Sequence, residues 1–206
     1  MVKRAGPIVL AVFLLTGCGA HSIQELKGGE ELKSGGHAAH GPARASGGTA
    51  VPGRDYNPAD VMFLQMLMAH NGQGVRLARL APDRATREEV RTLAAAIATT
   101  QETEAASMSE RLIGWRQPAT ARADEHAAHG GMPGVGEEEI AAVADAAPAD
   151  FEKKFLNMMI AQQDDAIQLA RMEVATGLNA EVKAMAERVD ASRSAQIKQM
   201  LAMLDQ

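Results

Sequence analysis

Six histidines and a single cysteine are the side chains of this 206-residue chain best suited to hold a soft metal or to act as nucleophiles. Four of the histidines fall in two copies of one phrase, His37-Ala38-Ala39-His40-Gly41 and His126-Ala127-Ala128-His129-Gly130, the second running on through Gly131 to Met132. Imidazoles three residues apart can close on one ion. His126, His129 and Met132 form an i, i+3, i+6 set whose nitrogen and thioether donors suit copper(I), and Asp124 and Glu125 add negative potential beside it. A solvated Gly/His-rich segment without a ligand accounts for the same residues, so both readings stand. A second candidate set is His70 with Met66 one helical turn before it and, further along, Glu104 with Met108. No histidine has glutamate three residues ahead of it, which removes the Glu-x-x-His pairs of a di-iron carboxylate bundle. No nucleophile has a neighbouring base and no glycine-rich phosphate loop follows a strand pattern, so the chain reads as a binding or structural protein rather than an enzyme.

The single cysteine, Cys18, excludes an internal disulfide and any multi-cysteine metal site. Its setting suggests another use. Lys3 and Arg4 precede an apolar run from Ile8 to Leu15 that is too short to span a bilayer, and Leu15-Thr16-Gly17-Cys18 resembles the bacterial lipobox. Residues 1–18 are therefore expected to be a lipoprotein signal, with Cys18 lipidated and the chain anchored on the extracytoplasmic side of a membrane. Residues 19–54 hold three Gly-Gly pairs and no sustained apolar period, the pattern of a disordered, flexible tether. With 21 basic against 26 acidic residues the net charge is −5, a poor match for nucleic acid. Apolar residues make up 46% and aromatic residues 3% of the chain, a balance that favours close-packed helices over a β-sandwich.

Residues 55–206 are expected to position the chemistry. A shift of 92 residues aligns 63–112 with 155–204 without a gap, matching Phe63 with Phe155, Met66 with Met158, Arg79 with Arg171 and Met108 with Met200. Each copy predicts a helical hairpin. Asn57, Pro58 and Asp60 supply a cap, a first-position proline and a first-turn carboxylate for a helix running to about Leu80, stopped near Pro82. Thr86 and Glu89 have the spacing of a capping box and predict a second helix to about Trp115. Pro148 and Asp150 open the third helix, which Gly177 closes in the left-handed position, and Asn179 caps the fourth, to about Leu204. With repeats at 57–116 and 148–205, and a linker at 117–147 that holds a short helix over 137–146, the expected architecture is an all-α four-helix up-down bundle.

At about 100° per residue, His70 falls among Phe63, Met66, Leu67 and Leu77 in the apolar stripe of the first helix. Its duplicate Gln162 falls among Phe155, Met158, Met159 and Leu169. Glu104 and its duplicate Gln196 are expected at the centres of the other two stripes, with Gln101 and Arg193 at the edges. Buried and unpaired, each such group costs about 1–3 kcal/mol, so they are expected either to bond one another or to hold an ion. The bonded arrangement pairs His70 with Glu104, Gln162 with Gln196, and Arg193 with Glu104.

These residues carry a resemblance. The Phe-Leu-x-Met run ahead of a polar pair, the (Val/Ile)-x-Leu-Ala-Arg that follows it, Gln101-x-x-Glu104 with Met108, and the connection His129-Gly130-Gly131-Met132-Pro133-Gly134 are similar to the bacterial family known as domain of unknown function 305. The resemblance spans about 55–206 and implies a ferritin-like exported bundle, with copper binding in some members. This chain departs from the family pattern. His70-Asn71 and Gln162-Gln163 stand where the family has His-His in both copies, and Arg193/Gln196 stands where the second Gln-x-x-Glu belongs. An interior copper site is thus depleted, which shifts the metal reading to His37, His40, His126, His129 and Met132. The rival reading is a non-catalytic envelope module, without metal, whose partner is a protein.

Overall fold

A computed structural model describes residues 54–120 and 135–206. The readings made on Cys18, His37, His40, His126, His129 and Met132, and on the leader and tether, lie outside these residues. The described residues form helices α1 (Pro58–Ala78), α2 (Ala81–Arg84), α3 (Glu88–Gly114), α4 (Glu137–Ala144), α5 (Pro148–Thr176) and α6 (Ala180–Leu204), with no strand among them.

The helix ends follow from local chemistry. Asn57 Oδ1 accepts the Asp60 N–H at 3.0 Å while the Asp60 carboxylate accepts the Asn57 N–H at 2.6 Å, a reciprocal box that starts α1. Asn179 Oδ1 accepts the N–H groups of Glu181 and Val182, both at 3.1 Å, and starts α6. Three ends differ from expectation. First, α1 stops at Ala78, and Pro82 lies in the first turn of the separate α2, where a missing N–H costs no hydrogen bond. Second, the Thr86–Glu89 box does not form, because Glu152 of α5 takes its place. Its Oε1 accepts the N–H of Thr86 at 2.6 Å and of Arg87 at 2.7 Å, so the open end of α3 is capped from the other hairpin. Third, Gly177 is extended (φ −66°, ψ 158°) rather than left-handed. A Cβ there would run into Glu173 Oε1, so close approach, not backbone handedness, explains the glycine.

Within each hairpin the long helices run antiparallel. Between hairpins, Asp60 at the start of α1 bonds the backbone of Leu178 and Asn179 just after α5, so α1 and α5 are antiparallel neighbours. Arg87, Glu104 and Arg111 of the α3 arm meet the Met203 carbonyl, Arg193 and Glu181 respectively, an antiparallel register between α3 and α6. The four long helices therefore run up, down, down, up. The crossover leaves from the end where Gln65 holds the Pro118 carbonyl. It returns at the opposite end, where Arg84 holds the carbonyls of Ala144 and Ala146 beside α4.

Two apolar clusters fill the bundle. One, at the α1 N-terminal end, contains Phe63, Leu64, Leu67, Met108, Leu112, Leu169 and Val182. The other, at the far end, contains Leu77, Ile97, Phe151, Phe155, Leu156 and Met200, with Phe151 and Phe155 stacked at 5.7 Å. Trp115 closes the first hairpin by stacking on Tyr56 at 4.1 Å. Between the clusters the buried residues become polar.

Candidate functional site

The polar layer is built by four helices, each carrying polar residues at a level where its stripe is otherwise apolar. His70 and Asn71 come from α1, Gln101 from α3, Gln162 and Gln163 from α5, and Arg193 from α6, and all six are fully buried. Glu104 and Gln196, expected at the centre, are only partly buried, whereas Gln101 and Arg193, expected at the edge, are at 0% exposure. Members of each pair lie three residues and about 60° apart on a helix, so a modest rotation about the helix axis exchanges centre for edge.

The partners also differ from those expected. His70 meets Gln162, the residue 92 positions further along the chain. Gln162 Nε2 lies 3.1 Å from His70 Nδ1 and donates to the His70 carbonyl at 3.2 Å, while Gln162 Oε1 accepts from Gln101 Nε2 at 3.4 Å. Gly74 makes room for this amide pair. A Cβ there would sit 2.5 Å from Gln162 Nε2 and still closer to Gln101 Oε1. His70 does not bond Glu104, and Gln162 does not bond Gln196. Glu104 Oε2 instead accepts from Asn71 Nδ2 at 2.9 Å and from the Arg193 guanidinium, the one expected pairing that forms.

Charge and proton placement bear directly on metal binding. Burial, reinforced by the nearby Arg193 cation and opposed by the Gln162 contact, lowers the His70 pKa to about 4, so the imidazole is neutral at pH 7. A neutral imidazole has one lone pair. The Gln162 amide faces Nδ1 at 3.1 Å, and Nε2 has no hydrogen-bond partner. Burial also pulls the Arg193 pKa down, and the Glu104 carboxylate pushes it back up. Met66 and Met108 lie in the apolar cluster at the α1 N-terminal end. Among the described residues no three His, Cys, Asp or Glu side chains are grouped to hold a metal ion. A resident guanidinium and a carboxylate already paired with it leave little place for a cation in the layer that holds His70 and Glu104.

Several contributors were not placed in the buried layer by the sequence, although Asn71 and Gln163 stand out there as departures from the family's His-His pairs. Asn71 and Gln163, duplicates of each other, belong to the buried layer, and Gln163 Nε2 lies 3.4 Å from Met159 Sδ. Glu173, at 1% exposure, follows Leu169 by four residues and so lies on the buried face, a signal that periodicity carried. Met172, by contrast, is 45% exposed and is not the core filler its type suggests.

The geometry can be set beside known proteins. Residues 60–204 match the family model described as domain of unknown function (DUF305). A DUF305 protein of Streptomyces coelicolor, described as a candidate secreted protein, is 26% identical with a TM-score of 0.66, over 71% of this chain and 92% of that one. A DUF305 fragment from Deinococcus radiodurans is 25% identical with a TM-score of 0.65, over 74% of this chain and 99% of the fragment. The protein CopM in its Cu(II)-bound form is 25% identical with a TM-score of 0.60, over 71% of this chain and 95% of CopM. No curated protein matches the chain.

Proposed function

The chain belongs to the DUF305 family, and from that premise we propose that it is an extracytoplasmic lipoprotein that binds and buffers a soft metal, copper foremost, without catalysing a reaction. The donors are His37, His40, His126, His129 and Met132. The observation that carries the reading is the repeated His-Ala-Ala-His-Gly phrase, set against an interior whose carboxylate is already paired with a guanidinium. The likeness to CopM, which holds Cu(II), supports copper as the metal. The lipobox-like Leu15-Thr16-Gly17-Cys18, with the description of the Streptomyces relative, supports export and anchoring. His70 and Met66 are at most a secondary locus, because the buried Arg193 guanidinium and the Glu104 carboxylate paired with it share that layer.

The test is a titration of the full chain with copper(I) and copper(II) against a competing chelator, beside a variant with His37, His40, His126 and His129 all changed to Ala. Wild type is expected to retain copper and the variant to lose it. Because imidazole must be neutral to ligate, binding is expected to fade below about pH 6. Equal affinity in the two proteins removes these four histidines as the donors, and affinity no better than that of a histidine-free variant removes the metal reading. The self-contained Arg193–Glu104 pair then favours the second reading, a metal-free module of the cell envelope whose partner is another protein.

A further inference from the structure

A pair of buried acids lies where the two hairpins meet at the α1 N-terminal end. Asp60, at 0% exposure, accepts N–H groups from Asn57 at 2.6 Å, Leu178 at 3.1 Å and Asn179 at 2.9 Å. Through these bonds one carboxylate ties the first turn of α1 to the connection between α5 and α6. Glu173, in the last turn of α5, packs against it. Neither Glu173 carboxyl oxygen meets a protein N–H or O–H, and the Asp60 carboxyl lies close enough to push the Glu173 pKa up. Gly177 leaves room for this carboxyl, since a Cβ at that position would collide with it.

Two ionised carboxylates are acceptors only and cannot bond each other; one proton between them turns repulsion into an O–H···O⁻ bond. The backbone donors decide which acid carries it. Three N–H groups converge on Asp60, whereas Glu173 has none. Those same donors point positive ends at the pair, so a metal cation is a poor occupant. We propose that Glu173 is a neutral carboxylic acid whose proton bonds Asp60, making the pair a proton-operated latch between the two hairpins.

The surrounding charges agree. Burial first, then the hydrogen bond and charge of Asp60 from α1, push the Glu173 pKa up to about 8, and Lys183 from α6 pulls the other way. Asp55, whose carboxylate accepts from Asn179 Nδ2 at 3.3 Å, lies across the same connection. The direction of the pH effect follows. The ordinary glutamate value is 4.5 and the folded value about 8, so the unfolded chain gives up this proton first. The latch holds fully in acid, loosens as pH rises through that interval, and is open once both states are ionised.

Glu173→Gln tests the latch, because its amide N–H can replace the acid proton at every pH. Urea unfolding is expected to show the wild-type folding constant dropping by at least about tenfold more than that of E173Q between roughly pH 5 and pH 8.5. Infrared difference spectra are expected to show a protonated carboxyl band in wild type at pH 7 that E173Q lacks and that disappears near pH 8. If E173Q does not fold, the wild-type band and its pH titration decide alone. Parallel pH profiles for the two proteins, or no protonated carboxyl at pH 7, would overturn the proposal. Neither readout involves copper, so its outcome is separate from that of the metal titration.

Discussion

Arg193 is buried with a single carboxylate partner, and its Nε and Nη1 atoms have no acceptor. Removing one member of a buried ion pair typically costs about 3–5 kcal/mol, because the other charge is left in a poorly solvating interior. Glu104 keeps 19% side-chain exposure and can recruit water. Arg193→Met is therefore expected to cost toward the lower end, about 3 kcal/mol, in denaturant unfolding. Combining it with Glu104→Leu should cost less than the sum of the single losses by about 1 kcal/mol or more, and strict additivity would show that the pair does not act as a unit. Periodicity was enough to place His70 inside, since an apolar stripe encloses it. It could not choose between Gln101 and Glu104, because both lie within the same broad face and the choice depends on how α3 is rotated against α6.

At the scale of the helix, the starts of α1 and α6 were legible because their caps are local, with Asn57 and Asn179 bonding N–H groups two or three residues away. The start of α3 was not. Its cap, Glu152, is 66 residues from Thr86, and no window along the chain contains both. Burial raises the Glu152 pKa, but the backbone N–H and guanidinium of Arg87, with the hydroxyl and N–H of Thr86, outweigh it and bring the value down to about 2. The ordinary value is 4.5, so the stabilisation is present above that pH and is lost as pH falls toward 2. Glu152→Gln is expected to destabilise the bundle by about 1–2 kcal/mol at pH 7, the usual scale of a lost cap. It should also flatten the acid limb of the stability profile. An unchanged acid limb in thermal unfolding from pH 2 to pH 6 would contradict this role.

At the scale of the whole molecule, the bundle pairs its buried cation, Arg193, with a carboxylate of its own, Glu104. A ligand that binds only the folded state raises the melting temperature, whereas donors close together in sequence offer the same contacts folded or unfolded. Saturating copper is therefore expected to bind the full chain yet leave its thermal midpoint essentially unchanged. A rise of several degrees would place the ion inside the bundle and contradict the arrangement of His70 and Arg193. The running order up, down, down, up gives this interior its form. In it residue 70 meets residue 162, and the two hairpins share a single polar layer.

The sequence by itself determined the all-helical class, two of the caps and the burial of His70 and Gln162, because each rests on residues that interact along one helix or repeat at a fixed spacing. The tertiary structure alone decided which polar groups meet, which end of α3 is capped from across the bundle, and that Glu173 shares the environment of Asp60. Those outcomes depend on the rotation and offset of helices far apart in the chain, where angular differences of about 60° change a partner without changing any local pattern.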